Sequence, residues 1–386
     1  TPSTMFKSPI FIVPLLLSFH SDSVSGFIIP NNSINGGRGT STPSRLFMSS
    51  STGGGKALIV QNKGGGHGEL GYQLAKTLSS HPKISSITIL QDDACDKTKE
   101  PFKSYTADLP EVEIIDTNLG FEGMEPFQIQ SILGGRDASF DYVWDNASKS
   151  AKDGSCGKAL CDAALSWQPK LFCYVSSAGM YLPGEDATFP MSEADTPIKE
   201  SSGQAQFENY AASIGLPLVS FRPQYIYGVK SNKWSYLDWF FDRLCRGAPV
   251  PIPGDGSQKV SLTNSEDVAS LLACPLNDEA AAVAQRVFNC GTDELVEYRE
   301  VVKMCADAAG VALGGDEIRY YDKGLGKGTF PFRLEDFYVA PDLAKEKLGW
   351  GGPKHSLKDD LGWYFDSYKE RGGPLEVIDF SKDEEL

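Results

Sequence analysis

The 386-residue sequence is poor in several features that would each mark a class of protein. It has four histidines, and none of its eight cysteines stands in a C-x-x-C pair. A structural zinc site is therefore not predicted, and the cysteines are expected to be free thiols in a reducing compartment. Basic residues are outnumbered, with 36 Lys and Arg against 51 Asp and Glu and a net charge of −15. This balance excludes nucleic-acid binding through bulk positive charge, although it allows a local basic patch.

Acidic residues are almost missing from the first part of the chain. An apolar run from Ile10 to Phe19 follows the first methionine; it is too short to span a bilayer but long enough for a signal-peptide core. From Ser23 to Gly68 there is no Asp or Glu but much Ser and Thr, which is typical of transit peptides. With Phe27 after a small-residue stretch, the segment resembles the bipartite presequence of algae with complex plastids. We expect residues 1–55 to be a presequence and linker that directs the protein to the plastid stroma; a plain secretory signal is the alternative.

A strand, a glycine-rich turn and a helix follow. Ala57–Gln61 has the pattern of a short buried strand, and 72–78 has that of a helix. Between them, Gly65, Gly68 and Gly71 form a G-x-x-G-x-x-G spacing. Glycines here permit a tight turn and a close approach to a pyrophosphate, which the helix N-terminus then faces. The three glycines are therefore candidate contacts for NAD or NADP.

Buried-strand patterns continue to alternate with helix-compatible segments along the chain. They lie at 84–90, 112–116, 141–146, 171–176 and 218–222. This rhythm predicts an α/β fold with a doubly wound parallel sheet, whose ligand crevice lies outside the carboxyl ends of the strands. Asp92, Asp116 and Asn146 stand at such ends and are candidate cofactor contacts. An acid at Asp92 favours a free adenosine ribose over a 2′-phosphate.

The strand at 171–176 runs into Ser176-Ser177-Ala178-Gly179-Met180-Tyr181. This segment resembles the extended short-chain dehydrogenase/reductase superfamily of nucleotide-sugar epimerases and dehydratases. The resemblance implies that Ser177 binds the substrate oxygen and that a catalytic Tyr-x-x-x-Lys follows about 25 residues later. The best alignment places Gln204 at the tyrosine and Glu208 at the lysine. An amide cannot exchange a proton, and losing a positioned acid/base costs roughly 10²- to 10⁴-fold in rate. We therefore expect no hydride transfer by the usual pair.

Seven segments carry a closer resemblance. They are 62–71, 174–182, 220–228, 239–244, 249–254, 330–333 and 348–350. They are similar to the plastid stem-loop-binding proteins of about 41 kDa, an atypical branch of the same superfamily. This resemblance implies binding of structured mRNA 3′ ends or ribosomal RNA, with the plastid ribosome as a further partner. It also implies metal-assisted endonucleolytic cleavage in some members, for which Mg²⁺ is the cofactor to test.

Basic and aromatic residues are interleaved in the region that would contact such an RNA. The candidates are Lys230, Lys233, Trp234, Arg243, Arg246 and Lys259. Stacking combined with phosphate contacts is a common mode of single-strand binding. The alternative is that the aromatic residues are core and that Arg243 and Arg246 form a solvated helix face. For Mg²⁺, carboxylates at predicted strand ends are the candidates, although so acidic a chain brings acids together by chance. These carboxylates belong to Asp92, Asp93, Asp116 and Asp145.

We expect four regions along the chain. The presequence is followed by a Rossmann-like dinucleotide-binding core at 56–222, a smaller C-terminal α/β subdomain at 223–376 that partly returns to the sheet, and an acidic tail at 377–386. No membrane span is expected in the mature protein, and a homo- or hetero-oligomer is left open. Three hypotheses of function remain at this stage: a plastid RNA-binding protein with weak endoribonuclease activity, an NAD(P)-dependent epimerase/dehydratase or reductase acting on a nucleotide sugar or similar small molecule, and a non-catalytic NAD(P)-binding regulator.

Overall fold

Thirteen strands and eleven helices make up the part of the chain that the computed structural model describes. That part comprises residues 53–62, 66–184, 187–315, 317–324 and 330–386, with backbone alone for 66–68. The strands are β1 (Gly55–Gln61), β2 (Ile84–Asp92), β3 (Glu113–Thr117), β4 (Tyr142–Asn146), β5 (Leu171–Val175), β6 (Leu218–Pro223), β7 (Ile226–Tyr227), β8 (Val250–Pro253), β9 (Lys259–Val260), β10 (Thr263–Asn264), β11 (Val287–Cys290), β12 (Val296–Glu297) and β13 (Ile318–Tyr321). The helices are α1 (Gly66–Ser79), α2 (Phe102–Asp108), α3 (Pro126–Ile132), α4 (Cys156–Trp167), α5 (Gly203–Ser213), α6 (Ser235–Leu244), α7 (Ser265–Ala273), α8 (Glu279–Gln285), α9 (Tyr298–Ala309), α10 (Asp342–Leu348) and α11 (Leu357–Glu370).

The main sheet is parallel throughout, and its strand order is β11-β6-β5-β4-β1-β2-β3. The chain winds outward from β1 through β2 to β3, then crosses back to β4 and winds the other way. The switch point therefore lies between β1 and β4. In open α/β sheets, ligands bind in the crevice outside the carboxyl ends of the strands at this point.

Both faces of the sheet are covered by helices. One face packs buried residues of α1, α2, α7, α8 and α10 against the strands, and the other packs those of α3, α4 and α5. The inner strands β1, β4, β5 and β6 are largely buried, as a parallel sheet covered on both faces requires, whereas the edge strand β3 is only partly buried. β4, for example, is buried at all five of its positions.

A separate cluster of buried residues forms the core of the C-terminal part. It joins α6, β8, α9 and α11, and it is rich in aromatic rings such as Phe240, Phe241 and Tyr364. Two-residue and four-residue strands form small two-stranded sheets there, β7 with β10, β9 with β12 and β8 with β13. Later parts of the chain also return to the main sheet, because β11 pairs with β6 and α10 packs on the first face.

The structure confirms the predicted fold class, a doubly wound parallel sheet with a smaller C-terminal α/β part. It differs at the first helix, which begins at Gly66 rather than at Tyr72. Gly68 and Gly71 are therefore helical residues rather than turn residues. Within the described ranges, no helix is both long enough and apolar enough to cross a membrane.

Candidate functional site

Three amide side chains meet at the switch point of the sheet. Asn146, the last residue of β4, donates from Nδ2 to Oε1 of Gln61, the last residue of β1, over 2.7 Å. The Nδ2 of Asn62 in turn donates to the carbonyl oxygen of Asn146 at 3.3 Å. Gly71 makes room for this arrangement, since a Cβ at that position would stand 1.7 Å from Oε1 of Gln61. The third glycine of the motif therefore accommodates an amide from β1.

The other proposed cofactor contacts are spread along the same edge. Asp92 ends β2, where its half-exposed side chain accepts a hydrogen bond from the amide of Ala94 at 3.0 Å. Its position at the end of the second strand suits a ribose hydroxyl. The carboxylate of Asp116 on β3 pairs instead with Lys97. Gly65 lies outside the described residues, and Gly68 is described by its backbone within α1.

The acids proposed for Mg²⁺ form no metal-binding group among the described residues. Asp145 is fully buried, and its Oδ1 accepts hydrogen bonds from the amides of Ala147 and Ser148 at 3.0 and 2.9 Å. Burial raises the pKa of this carboxyl, which is a poor property for a cation ligand. Among the described residues, no group of three or more His, Cys, Asp or Glu side chains is arranged to hold a metal ion. The structure thus provides no carboxylate cluster for the proposed Mg²⁺.

Ser177 follows β5 and caps a single 3₁₀ turn formed by residues 178–180. Its Oγ accepts a hydrogen bond from the amide of Gly179 at 3.0 Å. The side chain is partly exposed at the carboxyl edge of the sheet, as the resemblance implies. No hydrogen bond donated by this hydroxyl is found within the described part of the chain, so the local structure permits a role in binding.

Gln204 and Glu208 lie on α5, which Ser202 caps by accepting a hydrogen bond from the amide of Ala205. Gln204 is partly exposed, whereas Glu208 is buried. The Oε2 of Glu208 lies 2.7 Å from Nη2 of Arg222 on β6, and the two side chains are 10% and 5% exposed. Glu208 is thus held in an internal ion pair and does not act as the positive charge that the superfamily places beside its catalytic tyrosine.

Arg222 joins this ion pair to a longer buried network. Its Nη1 donates to the hydroxyl of Tyr181 at 3.1 Å, and that hydroxyl donates to Oδ1 of Asn289 at 2.7 Å. The backbone amide of Asn289 donates to Oε1 of Glu193 at 2.7 Å. Burial alone would lower the pKa of Arg222, but the bonds and charge of Glu208 and Tyr181 outweigh it, so this pKa is raised. This network was not predicted from the sequence, although an arginine inside the apolar strand LVSFRP signals a buried anionic partner.

Four of the six proposed RNA contacts turn out to have internal partners. Lys230 lies 3.4 Å from Asp108 and donates to Ser104, so it ties its loop to α2. Arg243 and Arg246 are the clearest corrections, since neither is on a solvated face. The first is buried against Asp383, and the second donates to backbone carbonyl oxygens near the C-terminus. The ring of Trp234 is covered by the guanidinium group of Arg371, 3.8 Å from its centroid.

The remaining two candidates belong to a group of four cations for which the described residues provide no carboxylate partner. Lys233 lies over the ring of Tyr236, 4.4 Å from its centroid. Lys259 is exposed beside Phe337, and Arg333 stacks on that same ring at 3.8 Å. Arg333 also donates to the carbonyl oxygen of Gly179 at 2.6 Å. The group, which we call the crevice cations, consists of Lys199, Lys233, Lys259 and Arg333.

One further residue beside the crevice cations has a strained backbone. Tyr225 follows β6 with φ of +37°, a region that bulky side chains rarely occupy. Its ring packs edge to face against Tyr236 and Phe332, with centroids 5.2 and 5.1 Å apart. Its hydroxyl accepts a hydrogen bond from the amide of Arg333 at 3.0 Å. Strain of this kind is retained when the surroundings fix a side chain in place, and it concentrates at functional sites.

The parallel sheet, its switch point and the first strand–helix unit define a Rossmann-type protein of the dinucleotide-binding class. The model of the NAD dependent epimerase/dehydratase family matches residues 64–291, more than half of the chain. The chain therefore belongs to this family.

Two curated relatives from Arabidopsis thaliana show different branches of that similarity. The chain is 31% identical over 252 residues to the chloroplast stem-loop binding protein of 41 kDa b, and the match covers 64% of this chain and 63% of that protein. It is 24% identical over 310 residues to a trifunctional UDP-glucose 4,6-dehydratase/UDP-4-keto-6-deoxy-D-glucose 3,5-epimerase/UDP-4-keto-L-rhamnose-reductase, covering 75% of this chain and 44% of that one. In both cases the match spans less than two thirds of the relative. The first comparison confirms the resemblance to the stem-loop-binding proteins.

Solved structures agree on the fold. A dTDP-glucose 4,6-dehydratase from Bacillus anthracis in complex with NAD superposes with a TM-score of 0.62 at 16% identity, covering 83% of this chain and 98% of that one. A UDP-glucuronic acid 4-epimerase from Bacillus cereus, in complex with UDP-glucuronic acid and NAD, gives 0.60 at 16% identity, with 82% and 99% covered. At this identity the likeness concerns the fold alone.

Proposed function

We propose that the protein binds structured RNA in the plastid and does not transfer hydride by the pair its superfamily uses. The observation that carries this proposal is the buried ion pair of Glu208 and Arg222. The ion pair gives Glu208 a structural role, and Glu208 stands where the alignment places the lysine. Gln204 stands where the alignment places the tyrosine. A fold that retains its crevice but lacks a positioned acid/base is suited to binding rather than to redox catalysis.

The name of the stem-loop-binding relative supports RNA as the ligand, and its chloroplast location supports the plastid. The crevice cations supply the local basic patch that so acidic a chain needs. Lys233 and Lys259 come from the sequence prediction. We add Lys199, whose backbone amide donates to the carbonyl oxygen of Met180, and Arg333, which donates to that of Gly179. Cations without carboxylate partners are free to neutralise phosphates, and the neighbouring tyrosine rings offer stacking faces.

The proposal is tested with the mature protein and a labelled stem-loop RNA. We expect binding at low salt that weakens as salt rises, because each neutralised phosphate releases counterions. The double variant K233Q/K259Q should weaken binding, whereas the matched variant K354Q/K358Q, which removes two lysines near α11, should not. Absence of RNA binding at low salt overturns the proposal.

An NAD(P)-dependent enzyme acting on a nucleotide sugar is the second candidate function. It is favoured by the family, by the position of Asp92 and by the helix α1 that begins at the glycine-rich segment. NAD, if bound, would accept or return a hydride, and Asp92 and the N-terminus of α1 would hold its ribose and phosphates. Calorimetry with NAD(H) and NADP(H), followed by turnover of UDP- and dTDP-sugars, tests this candidate. Tight binding with turnover would replace the RNA proposal.

Two extensions follow from the RNA proposal. A weak endoribonuclease activity would show as cleavage of the bound stem-loop that EDTA abolishes and Mg²⁺ restores. A regulator would show as a change of RNA affinity on adding NAD, with an equal change of NAD affinity on adding RNA, because coupling between two binding sites is reciprocal. If NAD binds without altering RNA affinity, the regulator hypothesis fails and RNA binding stands.

A further inference from the structure

The acidic tail, residues 377–386, lies across an arginine of α6. The Nε and Nη2 of Arg243 donate to the two carboxylate oxygens of Asp383 at 2.9 and 3.0 Å. The guanidinium group is stacked over the ring of Trp239, 3.7 Å from its centroid, and lies 5.0 Å from the ring centroid of Phe380 in the tail. Tail residues thus provide both the anion and the outer aromatic cover of Arg243.

Apart from this contact the tail is held loosely. None of its residues is buried, and Val377 is fully exposed. The hydrogen bonds of Arg246 go to the carbonyl oxygens of Gly373 and Glu376, which precede the tail. Arg246 therefore anchors the chain up to the start of the tail, and the described contacts of the tail itself centre on Arg243.

A cavity of about 380 Å³ remains between the tail and the paired strands β8 and β13. It is bordered by Arg319 on one side and by Phe380 and Asp383 of the tail on the other. Among the described residues, Arg319 has no carboxylate partner. Arg243 and Arg319 therefore both lie beside the tail. The partly exposed ring of Trp239 lies against the guanidinium group of Arg243.

We propose that the tail is a displaceable mimic of nucleic acid, which covers a binding surface for the phosphates of unpaired RNA made of Trp239, Arg243 and Arg319. This proposal rests on the proposed RNA-binding function. A guanidinium group binds carboxylates and phosphates through the same two-pronged geometry, so Asp383 occupies the place that a phosphate would take. Trp239 holds the arginine plane in position and offers an aromatic face to a base when the tail leaves.

The charge of the tail agrees with this role. Its sequence VIDFSKDEEL contains four acids and one lysine. An acidic segment tethered near an arginine site competes at a high effective concentration, and an RNA strand that neutralises several cations can displace it. The tail would then exclude short RNA segments that bind weakly. RNA that also contacts the crevice cations would displace the tail.

The test compares the full chain with a variant truncated after Glu376, using the same stem-loop RNA with a single-stranded flank. We expect the truncated chain to bind RNA roughly fivefold more tightly, with a log–log salt slope steeper by about 1, since at least one arginine is released to a phosphate. Adding R243Q or R319Q to the truncated chain should remove most of the gain. R319Q changes an exposed surface residue, so it stays informative if R243Q does not fold.

Charge-matched variants separate release of the arginine from the loss of bulk negative charge. D383N removes one charge and the partner of Arg243, whereas E384Q/E385Q removes two charges and leaves that ion pair intact. D383N should strengthen RNA binding more than the double variant does. If the truncated chain and D383N bind RNA as the full chain does, or if E384Q/E385Q has the larger effect, the tail is not a mimic and RNA binding itself stands. If neither the full nor the truncated chain binds RNA, the proposed function fails and this inference fails with it.

Discussion

Oε2 of Glu208 and Nη2 of Arg222 face each other across 2.7 Å in the interior, joining α5 to the strand β6 that lies second from the edge of the main sheet. This ion pair gives a structural reason for the glutamate at this position, where the sequence alone shows only that the lysine of the superfamily is missing. Glu208 stands where the alignment expects a catalytic lysine, but its charge is required by an arginine from the neighbouring strand. The altered residue is thus part of the framework of the protein.

The first prediction concerns this ion pair. E208Q leaves the guanidinium group of Arg222 buried without an anion, which typically costs about 3–5 kcal/mol. Replacing both residues, as in E208M/R222M, removes the unpaired charge and should cost less than E208Q alone. Urea denaturation of the wild type, E208Q, E208M, R222M and E208M/R222M measures these free energies of unfolding. A double variant as unstable as the sum of its single variants would show that the two side chains are not coupled.

The main sheet could be predicted from the sequence because most of its strands contain a short run of apolar residues. Ala57–Gln61 and 218–222 are such runs, and each was found within two residues of its predicted ends. The fold class followed from their alternation with helices. The start of α1 was missed because its first turn, Gly66-His67-Gly68-Glu69, contains two glycines, which have low intrinsic helix propensity.

The site was less predictable, because partner choice depends on contacts between residues distant in sequence. Arg243 and Asp383 are 140 residues apart, and nothing in the local pattern of α6 shows that the tail covers this arginine. The same applies to Lys230, whose acidic partners come from the segment around α2. Residue type and spacing identified the basic residues, whereas the fold determines which of them remain available to a ligand.

Gly71 provides the second prediction. G71A places a Cβ where Oε1 of Gln61 now lies, so it should displace the Gln61 side chain and its bond to Asn146. Overpacking of this kind costs about 1–3 kcal/mol. The variant Q61A relieves the clash, so Q61A/G71A should be more stable than the sum of the two single effects predicts. Chemical denaturation measures the cycle, and strict additivity would contradict the contact.

The third prediction is a pH dependence of stability that centres on His355. Its Nδ1 lies 3.2 Å from Oδ2 of Asp360, and its Nε2 lies 3.6 Å from Oε2 of Glu266. Burial lowers the pKa of this imidazole, but Asp360, Asp267 and Glu266 outweigh burial, so the pKa is raised. A folded-state pKa above the unfolded value of about 6.5 means that folding takes up a proton.

The stabilisation from His355 is therefore complete below the unfolded pKa and is lost as pH rises through the folded pKa. We expect the difference in unfolding free energy between the wild type and H355Q to be largest near pH 5.5 and to shrink by pH 9. H81Q serves as the control, because burial and Lys83 lower the pKa of His81, so its contribution should change in the opposite direction. A difference independent of pH would show that folding leaves the pKa of His355 unchanged, contrary to the effect of its acidic neighbours.

The last prediction concerns Glu69, a buried carboxyl in the first turns of α1. Its Oε1 accepts hydrogen bonds from Nε2 of Gln73 at 3.1 Å and from the amide of Lys230 at 3.0 Å. Burial raises its pKa in spite of these bonds and of the nearby hydroxyl of Ser265. The folded protein therefore holds this proton more tightly than the unfolded chain does, and stability falls as pH rises from the unfolded towards the folded pKa.

E69Q keeps the shape and the accepting oxygen but removes the ionisation, and its amide can donate to Ser265. We expect E69Q to gain stability relative to the wild type as pH is raised from 4 to 8, with a slope of at most about 1.4 kcal/mol per pH unit for one proton. E69A is the control; it leaves the amide of Lys230 without its acceptor and should be destabilised at every pH. Urea denaturation at pH 4, 6 and 8 distinguishes the cases. A relative stability of E69Q that falls with pH would mean that Glu69 is ionised and favourably bound, contrary to the effect of its burial.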